Sequence, residues 1–151
     1  MGKRHGNLGR VLRRAVPAAL LGMALAAWTS VAQSPNIGAY HALVIGNQAY
    51  RQLPQLGTPL ADARAVALLL RRDYGFAGVR VLENATRAQM VRALDDLRKA
   101  LRENDNLLVY YAGHGWLDRE ADRGYWLPVD AERRSRANWL STADITDTLR
   151  A

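Results

Sequence analysis

ALVIG, residues 42–46, is a continuous apolar run of strand length, and the fold follows from how it is read. A half-exposed strand alternates apolar and polar positions. A run without a polar residue suits a strand covered on both faces, as in a parallel α/β sheet. The sequence around it keeps that rhythm of short apolar runs and longer amphipathic ones. Pro54 and Gly57 mark a loop, Thr58 precedes Pro59 as a cap precedes a first helical residue, and Ala63, Val66, Ala67 and Leu70 follow at helical spacing. Gly75 is placed to end that helix in the left-handed conformation. Val79–Leu82 reads as a second strand, and Thr86 with Gln89 opens a second helix through a capping box, followed by the stripe Met90, Leu94, Leu97, Leu101. Leu107–Ala112 is a third strand. Trp116-Leu117 and Tyr125-Trp126-Leu127 form the arms of a small hairpin around the polar turn 118–124, and Ser141 with Asp144 opens a third helix by the same reciprocal capping.

The chain has 151 residues, enough for one modest domain, and no cysteine. Disulfides, thiolate metal sites and a thiol nucleophile belonging to these residues are thereby excluded. The formal charge of +7 invites a nucleic-acid reading, which the distribution of charge opposes. Lys3, Arg4, Arg10, Arg13 and Arg14 lie in an acid-free leader; without those five, 16 bases face 14 acids, interleaved as in Arg119-Glu120-Ala121-Asp122-Arg123. Residues 1–32 read as a signal peptide: a basic start, an apolar stretch from Ala15 to Ala27, and Ser30-Val31-Ala32 as the cleavage site. The stretch is shorter than the about 20 residues that span a bilayer, so an uncleaved anchor is the secondary reading. Arg13-Arg14 lacks the flanking pattern of a twin-arginine signal. Export implies a periplasmic or extracellular protein, and any contact with membrane would be through the leader.

The third strand leaves into Gly113-His114-Gly115. Open α/β sheets bind ligands at the carboxyl ends of their strands, and a histidine there can take up and return a proton near neutral pH. The flanking glycines are expected to let the backbone turn sharply and a substrate approach closely. The alternative is a plain strand-to-loop turn with an incidental histidine.

The blocks YHALVIGNQAY, LGTPLADARAVALLLRRDYGF, LLVYYAGHG and GYWLPVDA, in that order, resemble the caspase and metacaspase family of cysteine endopeptidases over residues 40–151. The resemblance implies a caspase-like three-layer α/β/α fold with a mainly parallel sheet, here interrupted after the third strand, the hairpin and the start of the third helix. Residues 33–39 then serve as a short linker, and 40–151 as a partial caspase-like domain. It further implies peptide-bond hydrolysis by a His-Cys dyad, in which His114 matches the catalytic histidine. Gly115 matches the glycine whose N–H helps hold the oxyanion, a role often worth about 3 kcal/mol. Asp62, in the block resembling the metacaspase L-x-G-C-x-N-D-A, matches an acid of the primary specificity pocket, where a buried carboxylate would select Lys or Arg before the scissile bond. An acid in a first helical turn is equally accounted for by the helix dipole. Gln55 stands where relatives that cut after Asp carry an arginine, which disfavours that specificity. The family's nucleophile follows the next strand in a D-x-C-x-S-G type motif that these residues do not contain, so this chain alone is expected to be inactive.

His41 and His5 are read as incidental, and no histidine spacing supports a metal. Relatives can bind calcium through aspartates, but Asp118 and Asp122 are read as a solvated turn, leaving no cofactor expected. Trp116, Trp126 and Trp139 are expected to cover the sheet end. Gly57-Thr58-Pro59 has too few donors to cradle a phosphate. The alternative functional class is a non-catalytic interaction module on the same fold.

Overall fold

A computed structural model describes residues 37–150; the signal-peptide reading of residues 1–32 falls outside them. Strands β1 (Tyr40–Gly46), β2 (Gly78–Glu83) and β3 (Asn106–Ala112) form a parallel sheet in the order β2-β1-β3. Between them run α1 (Pro59–Arg72) and α2 (Arg87–Ala100). Ala42, Leu43, Val44 and Ile45 are each fully buried, and the pleat divides them. Ala42 and Val44 face Ala63, Ala67 and Leu70 of α1, while Leu43 and Ile45 face Met90, Ala93 and Leu94 of α2 and, beyond them, Ile145. Ile145 belongs to α3 (Thr142–Arg150), so α2 and α3 share one face of the sheet and α1 takes the other. The apolar run predicted a strand buried on both faces, and the three-layer α/β/α architecture is its packed form.

The hairpin of β4 (Gly115–Asp118) and β5 (Arg123–Trp126) gains a third strand that the sequence reading did not anticipate, β6 (Leu140–Ser141), antiparallel to β5. Two residues are too short to carry a period. Arg136, in the loop leading to β6, bonds Asp118 at 2.7 Å and lies 4.3 Å over the Trp116 ring, with Tyr125 and Trp139 beside it. Asp118 is therefore more than a solvated turn residue: its other oxygen accepts the Glu120 and Ala121 N–H groups.

The helix ends follow the expected signals with two exceptions. Thr86 and Gln89 form the full capping box, and Gly75 adopts φ +65° after α1. Thr58 makes no side-chain cap bond; Pro59 in the first turn has no N–H to satisfy, and the Leu60 N–H is taken by Gln48 Oε1 at 3.4 Å. At α3 only half of the reciprocal cap forms, Asp144 N–H to Ser141 Oγ at 3.0 Å, because an aspartate is one methylene shorter than the glutamate or glutamine of a capping box.

At the amino end of the sheet, Asp105 ties the starts of β1 and β3. Its carboxylate accepts the Ala39 and Arg102 N–H groups, both at 2.9 Å, and faces His41 at 3.6 Å. His41 thus has a structural place beside Asp105 and Gly78. The Arg102 N–H bond, foremost, holds the Asp105 carboxyl below the usual carboxylate range. A depressed folded pKa adds stability above the unfolded value near 3.9 that is lost as pH falls through the folded one. Urea unfolding followed from pH 7 to pH 3 should show Asp105→Asn less stable at pH 7 and less sensitive to acid than the parent; parallel curves would refute this.

Candidate active site

The carboxyl ends of β1 and β3 carry the polar features of the site. At the close of β1, Asn47 is fully buried and pairs with Ala85 like a strand residue, its Oδ1 accepting the Ala85 N–H at 2.7 Å. Asn84, at φ 50°, accepts the Gln48 and Ala49 N–H groups through Oδ1. These bonds launch the loop 47–58 over the strand ends. Tyr50 anchors it, packing with Leu127 and Ala131, and the Arg51 N–H reaches the Val129 carbonyl. Pro54 is thereby held above β3.

His114 leaves β3 beneath that loop. Its Nε2 lies 2.8 Å from the Pro54 carbonyl oxygen. A carbonyl can only accept, so Nε2 bears the proton, and in the neutral ring Nδ1 carries the lone pair. No hydrogen bond engages Nδ1 among the described residues. Tyr50 packs on the imidazole with ring centroids 4.6 Å apart and accepts the His114 N–H at 2.7 Å. Tyr111 donates its hydroxyl toward the Leu127 and His114 carbonyls, at 2.7 and 2.9 Å, and stacks on Trp126 at 4.7 Å. Burial pushes both phenols above their ordinary range, so they remain protonated at any physiological pH.

Gly115 begins β4 opposite Trp126, and the His114 carbonyl accepts the Leu127 N–H at 2.9 Å. All peptide bonds here are trans, so a carbonyl turned toward β5 sends the Gly115 N–H the other way, toward the open side of β4. Gly115 is exposed. The chain bends at Gly113, as expected, without a positive φ there or at Gly115. Gly113 is needed for space: a Cβ there would lie 2.5 Å from the Tyr111 hydroxyl and 2.6 Å from that of Tyr50.

Asp62 sits in the first turn of α1, near the same end of the sheet, because the absence of a Cβ on Gly46 lets Pro59 pack against the end of β1. Its carboxylate is exposed rather than buried, since Ala63 and not Asp62 faces the sheet. Trp126 covers the sheet end as expected, whereas Trp116 and Trp139 hold Arg136. Calcium does not fit the acids of the hairpin: both Asp118 oxygens are committed, and no three His, Asp or Glu side chains converge among the described residues. A cavity of about 460 Å³ lies at the opposite end of the sheet against Arg102 and Asp105, away from His114. Tyr50, Pro54, Asn84 and Tyr111 were not anticipated as site residues. Their contributions are a backbone carbonyl, a side-chain amide and hydroxyls that only the folded chain aligns.

Fold and strand-end geometry define a caspase-like α/β/α domain. Residues 39–151 match the caspase domain of peptidase family C14, and the chain belongs to that family. It is 36% identical over 96 residues to human mucosa-associated lymphoid tissue lymphoma translocation protein 1, an alignment covering 64% of this chain and 11% of that protein. It is 29% identical over 102 residues to metacaspase-1A of Aspergillus niger, covering 58% and 25%. The crystal structure of protein GSU0716 from Geobacter sulfurreducens superposes with a TM-score of 0.59 at 26% identity, over 74% of this chain and 45% of the other. The chain thus spans a minor part of each of these relatives.

Gly113→Ala should be costly although the new methyl is small, because two hydroxyls and their ring already fill its place. Overpacking of this kind costs roughly 1–3 kcal/mol. Thermal unfolding of the variant should report that loss, with the equivalent substitution at exposed Gly57, where nothing lies within 4 Å, changing little. Equal effects at the two sites would show the crowding to be unimportant.

Proposed function

We propose that the chain is the amino-terminal portion of an exported caspase-like cysteine endopeptidase and supplies the histidine of its His-Cys dyad. The observation that carries this reading is the 2.8 Å bond from His114 Nε2 to the Pro54 carbonyl. It fixes the proton on Nε2, which makes Nδ1 the base. In the reaction, Nδ1 takes the proton of a thiol supplied by sequence outside these residues, and the thiolate attacks the scissile carbonyl. The Gly115 N–H donates to the resulting oxyanion. Collapse breaks the C–N bond, with the Nδ1 proton passing to the leaving amine. Water then attacks the thioester, giving its proton back to Nδ1 and releasing the acid and the thiol.

Substrates are peptides or proteins. The exposed Asp62 carboxylate, with no side-chain partner among the described residues, supports a preference for Lys or Arg before the scissile bond. The basic, apolar and small-residue sequence of the leader supports export to the periplasm or beyond, with an uncleaved anchor as the alternative.

Imidazole nitrogen NMR of the purified chain should find His114 as the Nε2–H tautomer. The same protein should leave Lys- and Arg-containing peptides uncut, and the transcript past codon 151 should run in frame into a strand and a cysteine motif. An Nδ1–H tautomer, cleavage that His114→Ala abolishes, or an immediate stop codon would each overturn the reading.

A further inference from the structure

We propose that Tyr50 and Tyr111 are positioning residues: their linked hydroxyls clamp the two peptide planes flanking His114 and so aim the Gly115 N–H at the reacting carbonyl. This rests on the reading of His114 as base and Gly115 as oxyanion donor. A residue's backbone conformation is the angle between its two peptide planes. The plane before His114 presents its N–H to Tyr50 Oη at 2.7 Å, and the plane after it presents its carbonyl to Tyr111 Oη at 2.9 Å. The hydroxyls themselves lie 3.2 Å apart.

Proton counting sets the direction of the chain. Each phenol has one hydrogen to give. Tyr111 has two carbonyls in reach, those of Leu127 and His114, so its proton goes to them. Tyr50 Oη accepts from His114, and its own proton has the Tyr111 oxygen as acceptor. The relay therefore runs from the His114 N–H through Tyr50 and Tyr111 to the Leu127 and His114 carbonyls. It begins and ends on the same residue. With the carbonyl held on the β5 side, the trans peptide leaves the Gly115 N–H only the opposite direction.

Neither phenol would be chosen for packing alone. Tyr50 and Tyr111 could be phenylalanines and keep the contact to the imidazole and the stack on Trp126, yet the space a Cβ on Gly113 would need is given to their hydroxyls. An oxyanion donor must be in place before charge develops, because reorganising it during the reaction forfeits its benefit. A glycine opening an exposed strand has no side chain to hold it. Its direction is imposed through the preceding peptide, whose carbonyl the Leu127 N–H holds from β5 and the Tyr111 hydroxyl holds from the relay.

The test is amide and hydroxyl NMR on the full 151-residue chain. In the parent protein, the hydroxyl protons of Tyr50 and Tyr111 should be visible, slow to exchange with water and mutually cross-relaxing; rapidly exchanging hydroxyls would overturn the proposal without any variant. Tyr111→Phe should retain the Trp126 stack and the fold while raising transverse relaxation at the Gly115 amide by at least roughly twofold, the mark of a peptide plane released into slow exchange. Tyr50→Phe should do the same at the His114 amide, and serves if Tyr111→Phe fails to fold. A merely structural role would lower thermal stability and leave Gly115 relaxation as in the parent, and that result refutes the clamp. The His114 tautomer reports separately: if Nε2–H persists while Gly115 is unmoved in both variants, the relay fails and the base assignment stands. If the parent is Nδ1–H, the base assignment itself falls.

Discussion

Everything in this domain depends on a central strand that has no face to give to water. Four consecutive residues of β1, Ala42–Ile45, are fully buried, so the sheet must be covered on both sides and β1 must lie inside it. Each buried aliphatic side chain of Leu, Ile or Val size contributes about 1.5–3 kcal/mol, and none of that is realised unless α1 and α2 dock on opposite faces. Parallel pairing then follows, because each crossover helix returns the chain to the same end of the sheet. All three strands leave at one end, where their carboxyl termini bring Asn47, Asn84 and His114 together from residues far apart in sequence.

Most of this frame was legible because it rests on periodicity. Apolar runs gave the three strands, helical stripes gave the helices, and Thr86 with Gln89 gave a cap that forms as read. The departures are local: at α1 Pro59 has no N–H and Gln48 takes that of Leu60, and at α3 Asp144 is too short to complete its box. β6 has only two residues, and no pattern can be read from so few.

The site was legible in its named residues and opaque in its supports. His114 and Gly115 stood out because a histidine between glycines at a strand exit is chemically conspicuous. Tyr50, Pro54 and Tyr111 did not, since a tyrosine in a strand or an apolar loop reads as packing and a proline's carbonyl has no sequence signature at all. At Gly113 the bend is only part of the reason for a glycine: the hydroxyls crowding it leave no room for a Cβ, and no sequence pattern shows that. Asp62 was assigned a buried carboxylate, and the helix phase puts Ala63 on the sheet in its stead.

That division has a consequence for how such a site tolerates change. The imidazole is held at three points, by the Pro54 carbonyl on Nε2, the tilted Tyr50 ring packed against it and the two peptide planes behind it. Of the two ring nitrogens, Nδ1 is left without a partner among the described residues. A side chain constrained everywhere except at its basic atom has already lost most of its rotamer freedom on folding, so engaging a proton there costs little further ordering. The polar groups that supply this rigidity are themselves satisfied, with no buried side-chain nitrogen or oxygen lacking a partner among the described residues. The constraint is therefore compatible with a stable fold, and the reactive geometry follows from the same hydrogen bonds that close the carboxyl end of the sheet.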